Sequence, residues 1–350
     1  MIGVARLVAV AAASLALGAA PAGGDAPRDD TVWMQALLDA GDSIYLQKLP
    51  HGECYQTRGL WISHDDTLID SNGACIVSLG PGPVRLVSND GDPIAADSVF
   101  YVNRSDHLAP APDHITIRGL TIVVPATTQT SGISIFGHDV TISHVTVTGA
   151  PVDDVLVGER ANGDGYPSRV EIDHCLLEGG GRNVISAVTF LNLRIEHSTL
   201  AGASNGYRGA PAEGGNPSAG IDVEPNKRGN LMLGLVIAHN VIRDNEGPGI
   251  LFALVSSTGL PLNADRFSVL GNKIVRNGKS DRAEHGGIVF YGGEADGRGR
   301  ATVIGNVIRA NRGAALVGWK MTMTVDAHDN DLRGNGGGAY QNVKLAKSRR

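Results

Sequence analysis

Asp222 and Glu224 stand two residues apart in the segment Gly220-Ile221-Asp222-Val223-Glu224-Pro225-Asn226. Alternate side chains of a strand share a face. If Ile221 and Val223 point inward, the two carboxylates project together on the outer face, with Cα atoms roughly 7 Å apart. Carboxyl groups so placed can divide the roles of general acid and general base in glycosidic cleavage. With Asn226 they also offer the oxygen ligands that calcium takes. The matching position in other segments holds Ser134, Leu156, Ile185, Leu251, Val289 and Leu316, so the acids interrupt a mostly apolar column. Such surroundings raise a carboxyl pKa, which suits an acid. The plainer reading is an ion pair or turn cap with Lys227 or Arg228.

A second acidic pair lies in Pro151-Val152-Asp153-Asp154-Val155, where an ordinary turn rich in Asp is the competing reading. Arg182 and Asn183 fall between the two pairs. Arg160, Arg182, Asn183, Tyr207, Arg208 and Lys320 are candidates for contacting an anionic or hydroxyl-rich ligand. His144, His174, His197 and His239 recur at one repeat position. Imidazoles bind metals, but rings stacked in register at about 4.8 Å point the same way and do not converge on one ion, so they read as a structural ladder. Asn103-Arg104-Ser105 matches a glycosylation tripeptide.

The elements that must position these residues come from a repeat. Asn240-Val-Ile-Arg-Asp-Asn245, Asn272-Lys-Ile-Val-Arg-Asn277, Asn306-Val-Ile-Arg-Ala-Asn311 and Asn330-Asp-Leu-Arg-Gly-Asn335 align without gaps. Each follows a short, mostly alternating apolar run. Earlier segments fit the same frame, so the first-Asn column reads Leu120, Val145, Cys175, Ser198, Asn240, Asn272, Asn306, Asn330. Its spacing is irregular, shortest from Cys175 to Ser198 and longest from Ser198 to Asn240. A minimum length with insertions is the behaviour of a β-solenoid coil. A second strand recurs between these segments, as in Gly132-Ile-Ser-Ile, Gly220-Ile-Asp-Val, Gly249-Ile-Leu-Phe and Gly287-Ile-Val-Phe. The insertions 203–219, 226–233, 256–266, 278–286 and 292–300 flank that strand and would wall a groove over it. Residues 30–40 read as an amphipathic helix with Asp at its start and Gly41 after it, able to cover the N-terminal mouth. Cys175 in the Asn column reads as a small buried residue.

Composition sets the same bounds. Forty-seven glycines and 5% aromatic residues argue for many short strands and turns. The net charge of −6 and scattered basic residues exclude the basic stripe of a nucleic-acid binder. Arg6, the apolar run Leu7 to Leu17, and small residues to Ala22 read as a secretory signal, cut near Ala20 or Ala22 and too short to span a bilayer. No later stretch is long and apolar enough for a membrane helix. Export makes oxidation plausible, so Cys54 and Cys75 are expected to pair and Cys175 to stay free. The expected organisation is a signal over 1–22, a cap with first coils over 23–112, repeats of the same domain over 113–335, and a flexible basic tail over 336–350.

The opening helix, then Gly41-Asp42-Ser-Ile-Tyr-Leu, Leu60-Trp-Ile-Ser, Thr67-Leu-Ile-Asp and Gly73-Ala74, resembles the start of the pectin-lyase-like right-handed parallel β-helix superfamily. The resemblance covers roughly residues 30–335. It implies an all-β, right-handed parallel β-helix with an N-terminal capping helix, in a superfamily of lyases, hydrolases, epimerases and non-catalytic spikes. The Asp153-Asp154 pair resembles the paired Asp of polygalacturonase-like hydrolases, without the accompanying NTD or G-H-G motifs. The leading expectation is a secreted enzyme cleaving a polysaccharide at Asp222 and Glu224 by hydrolysis without a cofactor. A calcium-dependent uronate lyase, with Asp222, Glu224 and Asn226 on the ion, and a non-catalytic carbohydrate-binding or adhesin-like solenoid are the alternatives. Fold alone does not decide among them.

Overall fold

The computed structural model describes residues 7–8, 28–87, 93–104, 110–128, 130–158, 166–204, 217–226, 229–254, 263–279, 286–292, 299–321 and 323–346. They form a right-handed parallel β-helix of three parallel sheets with eleven, nine and ten strands, beside one small antiparallel hairpin. A coil gives one strand to each sheet in turn, as Phe190–Glu196, Thr199–Ala201 and Ile221–Val223 do. Neighbouring coils then pair in register: Ile117 with Ile142, Ile142 with Ile172, and Ile172 with Ile195. Inward positions of all three sheets merge into one core that runs from Met34 to Val325.

The repeated asparagines explain how the corners close. Asn240, Asn272 and Asn306 are all 1% exposed. The Asn272 Oδ1 accepts from the backbone N–H and the side-chain amide of Asn240, at 2.9 and 3.0 Å. The Asn272 amide in turn donates to Ile237 O and to Asn306 Oδ1, at 2.8 and 3.0 Å. Asn245, Asn277, Asn311 and Asn335 form a second ladder of the same kind. Buried corners would otherwise leave backbone groups unpaired.

Beside the second ladder the chain passes too closely for side chains. A Cβ on Gly220 would lie 2.6 Å from Ile242 Cγ2 and 2.8 Å from the Asn245 amide. One on Gly287 would lie 2.3 Å from Ile308 Cγ2 and 3.1 Å from the Asn311 amide. The recurrent glycine before each of these strands is thus required by close approach as well as by the bend.

The histidines stack as expected. Ring centroids of His144, His174, His197 and His239 are 5.1, 4.8 and 5.5 Å apart in sequence order. All four take a left-handed backbone, with φ of 50–57°. Gly119, Gly271, Gly305 and Asp329 fill the same turn position in other coils. Asp173 accepts from His174 Nδ1 at 2.6 Å and from His197 Nδ1 at 3.0 Å. Its partial burial would raise its pKa, but these two hydrogen bonds outweigh that and hold it below the ordinary carboxyl value. The column lies on the turn between the first and second sheets, away from the Gly220 strand.

The N-terminal edges of the stack are covered. Helix Thr31–Asp39 buries Met34 and Leu38 in the core. Gln35 pairs with Trp61 on both sides of its peptide, Oε1 accepting from the N–H at 2.8 Å and Nε2 donating to the carbonyl at 3.0 Å. A side-chain amide thereby stands where a further strand of the third sheet would. Asp30 covers the second sheet's edge at Gln56, its backbone N–H donating to the Gln56 carbonyl and its Oδ2 accepting from the Gln56 N–H, and Cys54–Cys75 joins that sheet's first two strands with Cα atoms 4.5 Å apart. Cys175 is free and buried.

Strand pairing also occurs near both ends of the described residues. Leu7–Val8, within the expected signal, pairs with Ser43–Ile44, because the first sheet's open edge accepts an extended segment. Tyr340–Gln341 pairs with Leu316–Val317, and Ala346 donates to Val325 O. Asn103 is 1% exposed and so is not placed to accept a glycan.

Three measurements check this account. Asn272→Leu strands the Asn240 N–H and the Ile237 carbonyl, and is expected to cost about 3 kcal/mol in urea unfolding. His174→Asn, which tolerates the left-handed turn, is expected to cost under about 0.5 kcal/mol; equal losses in the two variants would contradict the assignment. Reduction of Cys54–Cys75, whose partners are 21 residues apart, is expected to lower stability by about 3 kcal/mol on the chain-entropy model.

Candidate functional site on the third sheet

Strand Ile221–Val223 lies between Asn183–Ala187 and Ile250–Ala253. Ile221 and Val223 belong to the core, so Asp222 points outward, as alternation requires. It is nevertheless only 5% exposed. The register also corrects the column it belongs to. Asp222 aligns with Ser186 rather than Ile185, and the position farther along is Val317 rather than Leu316. Ile185 and Leu316 are core residues. Val184-Ile185 and Ala314 to Val317 are unbroken apolar runs, in which a one-residue slip leaves no trace in the sequence.

Arg182, Asn183 and Asp153 are drawn to Asp222 from the two preceding coils. Arg182 Nε donates to Asp153 Oδ1 at 3.0 Å, and its Nη2 bonds Asp153 Oδ2 and reaches Ser186 Oγ at 3.3 Å. The Asn183 backbone N–H donates to the same Asp153 Oδ1 at 3.2 Å. The Asn183 amide donates to Ser186 Oγ at 3.0 Å and to Asp222 Oδ2 at 3.1 Å. Its Oδ1 accepts from Ala219 N–H, which fixes the way the amide faces. Asp222 Oδ1 is buried with no hydrogen bond among the described residues.

The electrostatics separate these groups. Burial pushes Asp222 well above the usual carboxyl value, and the neighbouring Glu224 pushes it further, against the pull of Arg182. Glu224, half-buried, is also raised by burial, and Arg182 pulls it back. Burial works against the charge on Arg182, but Asp153 first, then Asp222 and Glu224, outweigh it, so the guanidinium stays charged. The result is two interacting carboxyls and one fixed cation. Such a pair can hold a proton on the buried acid while the more exposed one ionises.

The other candidates are placed differently. Asp154 does not join the groove. It stands one position from the Val155 to Ile185 pair, in register with Gly132 and the core residue Val184, and is 0% exposed. It faces inward where the ladder column holds the small residues Ala150 and Gly180 instead of Asn. Burial raises it well above the usual value, although the N–H groups of Ala150 and Gly180 lie alongside. Neither of its oxygens has a well-formed hydrogen bond among the described residues. The strand bends at Asp153-Asp154, so strict alternation could not assign the two sides. Lys320 is exposed and follows strand Leu316–Trp319, three strands beyond Asp222 in the sheet. Asn226 is exposed past the end of its strand. Arg160, Tyr207, Arg208, Lys227 and Arg228, with most of the expected groove-walling loops, lie outside the described residues. Sequence reading missed Ser186, hidden by the slipped register.

Comparison with solved structures returns proteins of this fold. The alginate lyase from Paenibacillus sp. is similar over 92% of this chain and 100% of its own, with 14% identity and a TM-score of 0.46. The A-module of the Azotobacter vinelandii mannuronan C-5 epimerase AlgE4 is similar over 94% and 96%, with 14% identity and a TM-score of 0.41. The Streptococcus pneumoniae surface protein and adhesin PfbA is similar over 93% and 97%, with 14% identity and a TM-score of 0.43. These likenesses concern the fold alone. No protein-family model and no curated protein sequence matches the chain.

The raised acids have a consequence for stability. Asp154, Asp222 and Glu224 each bind a proton more tightly folded than unfolded. The folded chain therefore carries more protons between the ordinary carboxyl pKa and the raised one. Their contribution to stability is complete below about pH 4 and falls as pH rises through that window. Asp154→Asn is expected to make the pH dependence of urea-unfolding free energy shallower by up to about 1.4 kcal/mol per unit. Identical slopes in variant and parent would show that Asp154 ionises freely.

Proposed function

We propose that this protein is an exported enzyme that hydrolyses a glycosidic bond in a polysaccharide lying along the third sheet. The reading is carried by the neighbouring carboxyls of Asp222 and Glu224 on the outward side of the strand, beside Arg182 fixed by Asp153. Asp222, kept protonated by burial, gives its proton to the glycosidic oxygen as the bond to the anomeric carbon breaks. Glu224, less buried, takes a proton from the water whose oxygen attacks that carbon. Inverting cleavage takes carboxyl groups about 6.5–9.5 Å apart with a water between them, and residues two apart on a strand, with Cα atoms roughly 7 Å apart, can reach such a spacing. Asn183 holds Asp222 in place, and Asp153 holds Arg182.

Calcium fits these residues poorly. The ion takes six to eight oxygens, whereas here one carboxyl oxygen is already engaged by Asn183 and a guanidinium stands beside both acids. The lyase alternative needs a base near the substrate, and Arg182, tied to Asp153 and kept charged, does not serve. Export is supported by the leader-like start of the sequence and by the Cys54–Cys75 disulfide, which persists in oxidising compartments.

A panel of neutral and uronate polysaccharides, followed by release of reducing ends with and without EDTA, tests the proposal. Cleavage that survives EDTA is the expected result. Asp222→Asn and Glu224→Gln should each lower turnover about 10²- to 10⁴-fold with the fold intact by circular dichroism. Unsaturated products lost with EDTA would support the lyase instead. Binding without cleavage would support an adhesin-like solenoid.

A further inference from the structure

Glu224 has a column of its own. It follows Val223, which aligns with Phe252, so its counterpart in the next coil is Ala253. Ala253 aligns with Tyr291, and Tyr291 with Trp319. Phe252 and Phe290 stack inside the core at 5.0 Å, which turns Ala253 and Tyr291 outward. Tyr291 and Trp319 form an aromatic pair with centroids 5.0 Å apart and planes inclined at 54°. Trp319 is 41% exposed. Of the three tryptophans, Trp61 is wholly buried and Trp33 packs against the core with its Nε1 on Asp30.

A large aromatic pair held open on a rigid sheet is costly unless it meets a partner. Its place suggests which one. At a coil rise of about 4.8 Å, Tyr291 and Trp319 stand roughly 10 and 14 Å along the solenoid axis from Glu224. Ala253, which lies between Glu224 and Tyr291 in the column, is small. The neighbouring column over the same coils, Leu251, Val289 and Val317, is apolar and largely buried, and it forms a firm support beside the aromatic pair. Apolar C–H faces of pyranose rings suit exposed aromatic rings, and tilted rings suit a chain that twists from one sugar to the next. Lys320 follows directly and adds a cation at the far end.

We infer that Tyr291 and Trp319 form a distal saccharide-binding platform that engages a polymer-length chain already threaded past Asp222 and Glu224. The inference rests on the polysaccharide reading above and adds that short oligosaccharides, which end before the platform, are poor ligands.

The test uses oligomannuronate, oligogalacturonate and gluco-oligosaccharide series with the full chain. Iodide quenching of tryptophan fluorescence reports Trp319, the exposed indole. Octasaccharides of at least one series are expected to shield it, whereas the matching disaccharides are not. Trp319→Ala should weaken octasaccharide binding about tenfold and raise KM for the polymer with kcat unchanged, and Trp319→Phe should restore most of both. Quenching unaffected by every octasaccharide, or equal shielding by a disaccharide, would overturn the platform. The two proposals fail separately. Shielding of Trp319 with no cleavage of any polymer upholds the platform and removes the catalytic reading. Cleavage that depends on Asp222 but is indifferent to Trp319→Ala does the reverse.

Discussion

The structure depends on coil-to-coil backbone pairing at one rise and one register. Once a strand is laid down, every residue of the next coil stands directly over its counterpart. A column must therefore tolerate repetition of its own chemistry. Isoleucine and phenylalanine stack on themselves at no cost, asparagine donates to and accepts from itself, and imidazoles lie face to face. On the third sheet carboxylates do not repeat in this way. Asp222 has Ser186 on one side and Leu251 on the other, and Asp153 is met by Asn183 and Arg182. Asp222 and Asp153 are singular in their columns, whereas on the more exposed first sheet Asp173 stands beside Glu196, the two held by imidazole and guanidinium partners respectively. Burial on the third sheet then raises the pKa of Asp222.

The same rule shapes the interior. Where the inner ladder column holds Asn245, Asn277 or Asn311, the opposing third-sheet position is glycine. Where the ladder column narrows to Ala150 and Gly180, the opposing positions are Asp154 and Val184. Asp154 fills space that an amide would fill elsewhere, which accounts for an ionisable residue deep in the core.

The repeat made the fold legible because the asparagines and the alternating apolar strands are the same residues that close the corners and fill the core. The capping helix and the disulfide were legible from local signals. The site was only partly so. Ile221 and Val223 alternate cleanly with Asp222, and that face was assigned correctly. Val184-Ile185 and Ala315-Leu316 do not alternate, so the neighbouring coils slipped by one residue and Ser186 escaped notice. Asp153 and Asp154 look equivalent in sequence, yet a bend sends one to Arg182 and the other inward. Long-range partners such as Asn183 with Asp222 leave no local pattern, because the intervening insertion varies while the register does not.

The asparagine ladder also bears on how such a protein can change its length. Each rung accepts from the coil before it and donates to the coil after it, and its remaining amide hydrogen goes to a backbone carbonyl. A rung is thus indifferent to its ordinal position. Duplicating a segment that begins at Asn272 and stops before Asn306 would present the same donors and acceptors at both joints. Chains of this kind can grow or shrink by whole coils without redesign of their corners. The ends, where Gln35 and Asp30 stand in for missing strands, are the parts that evolution cannot copy freely.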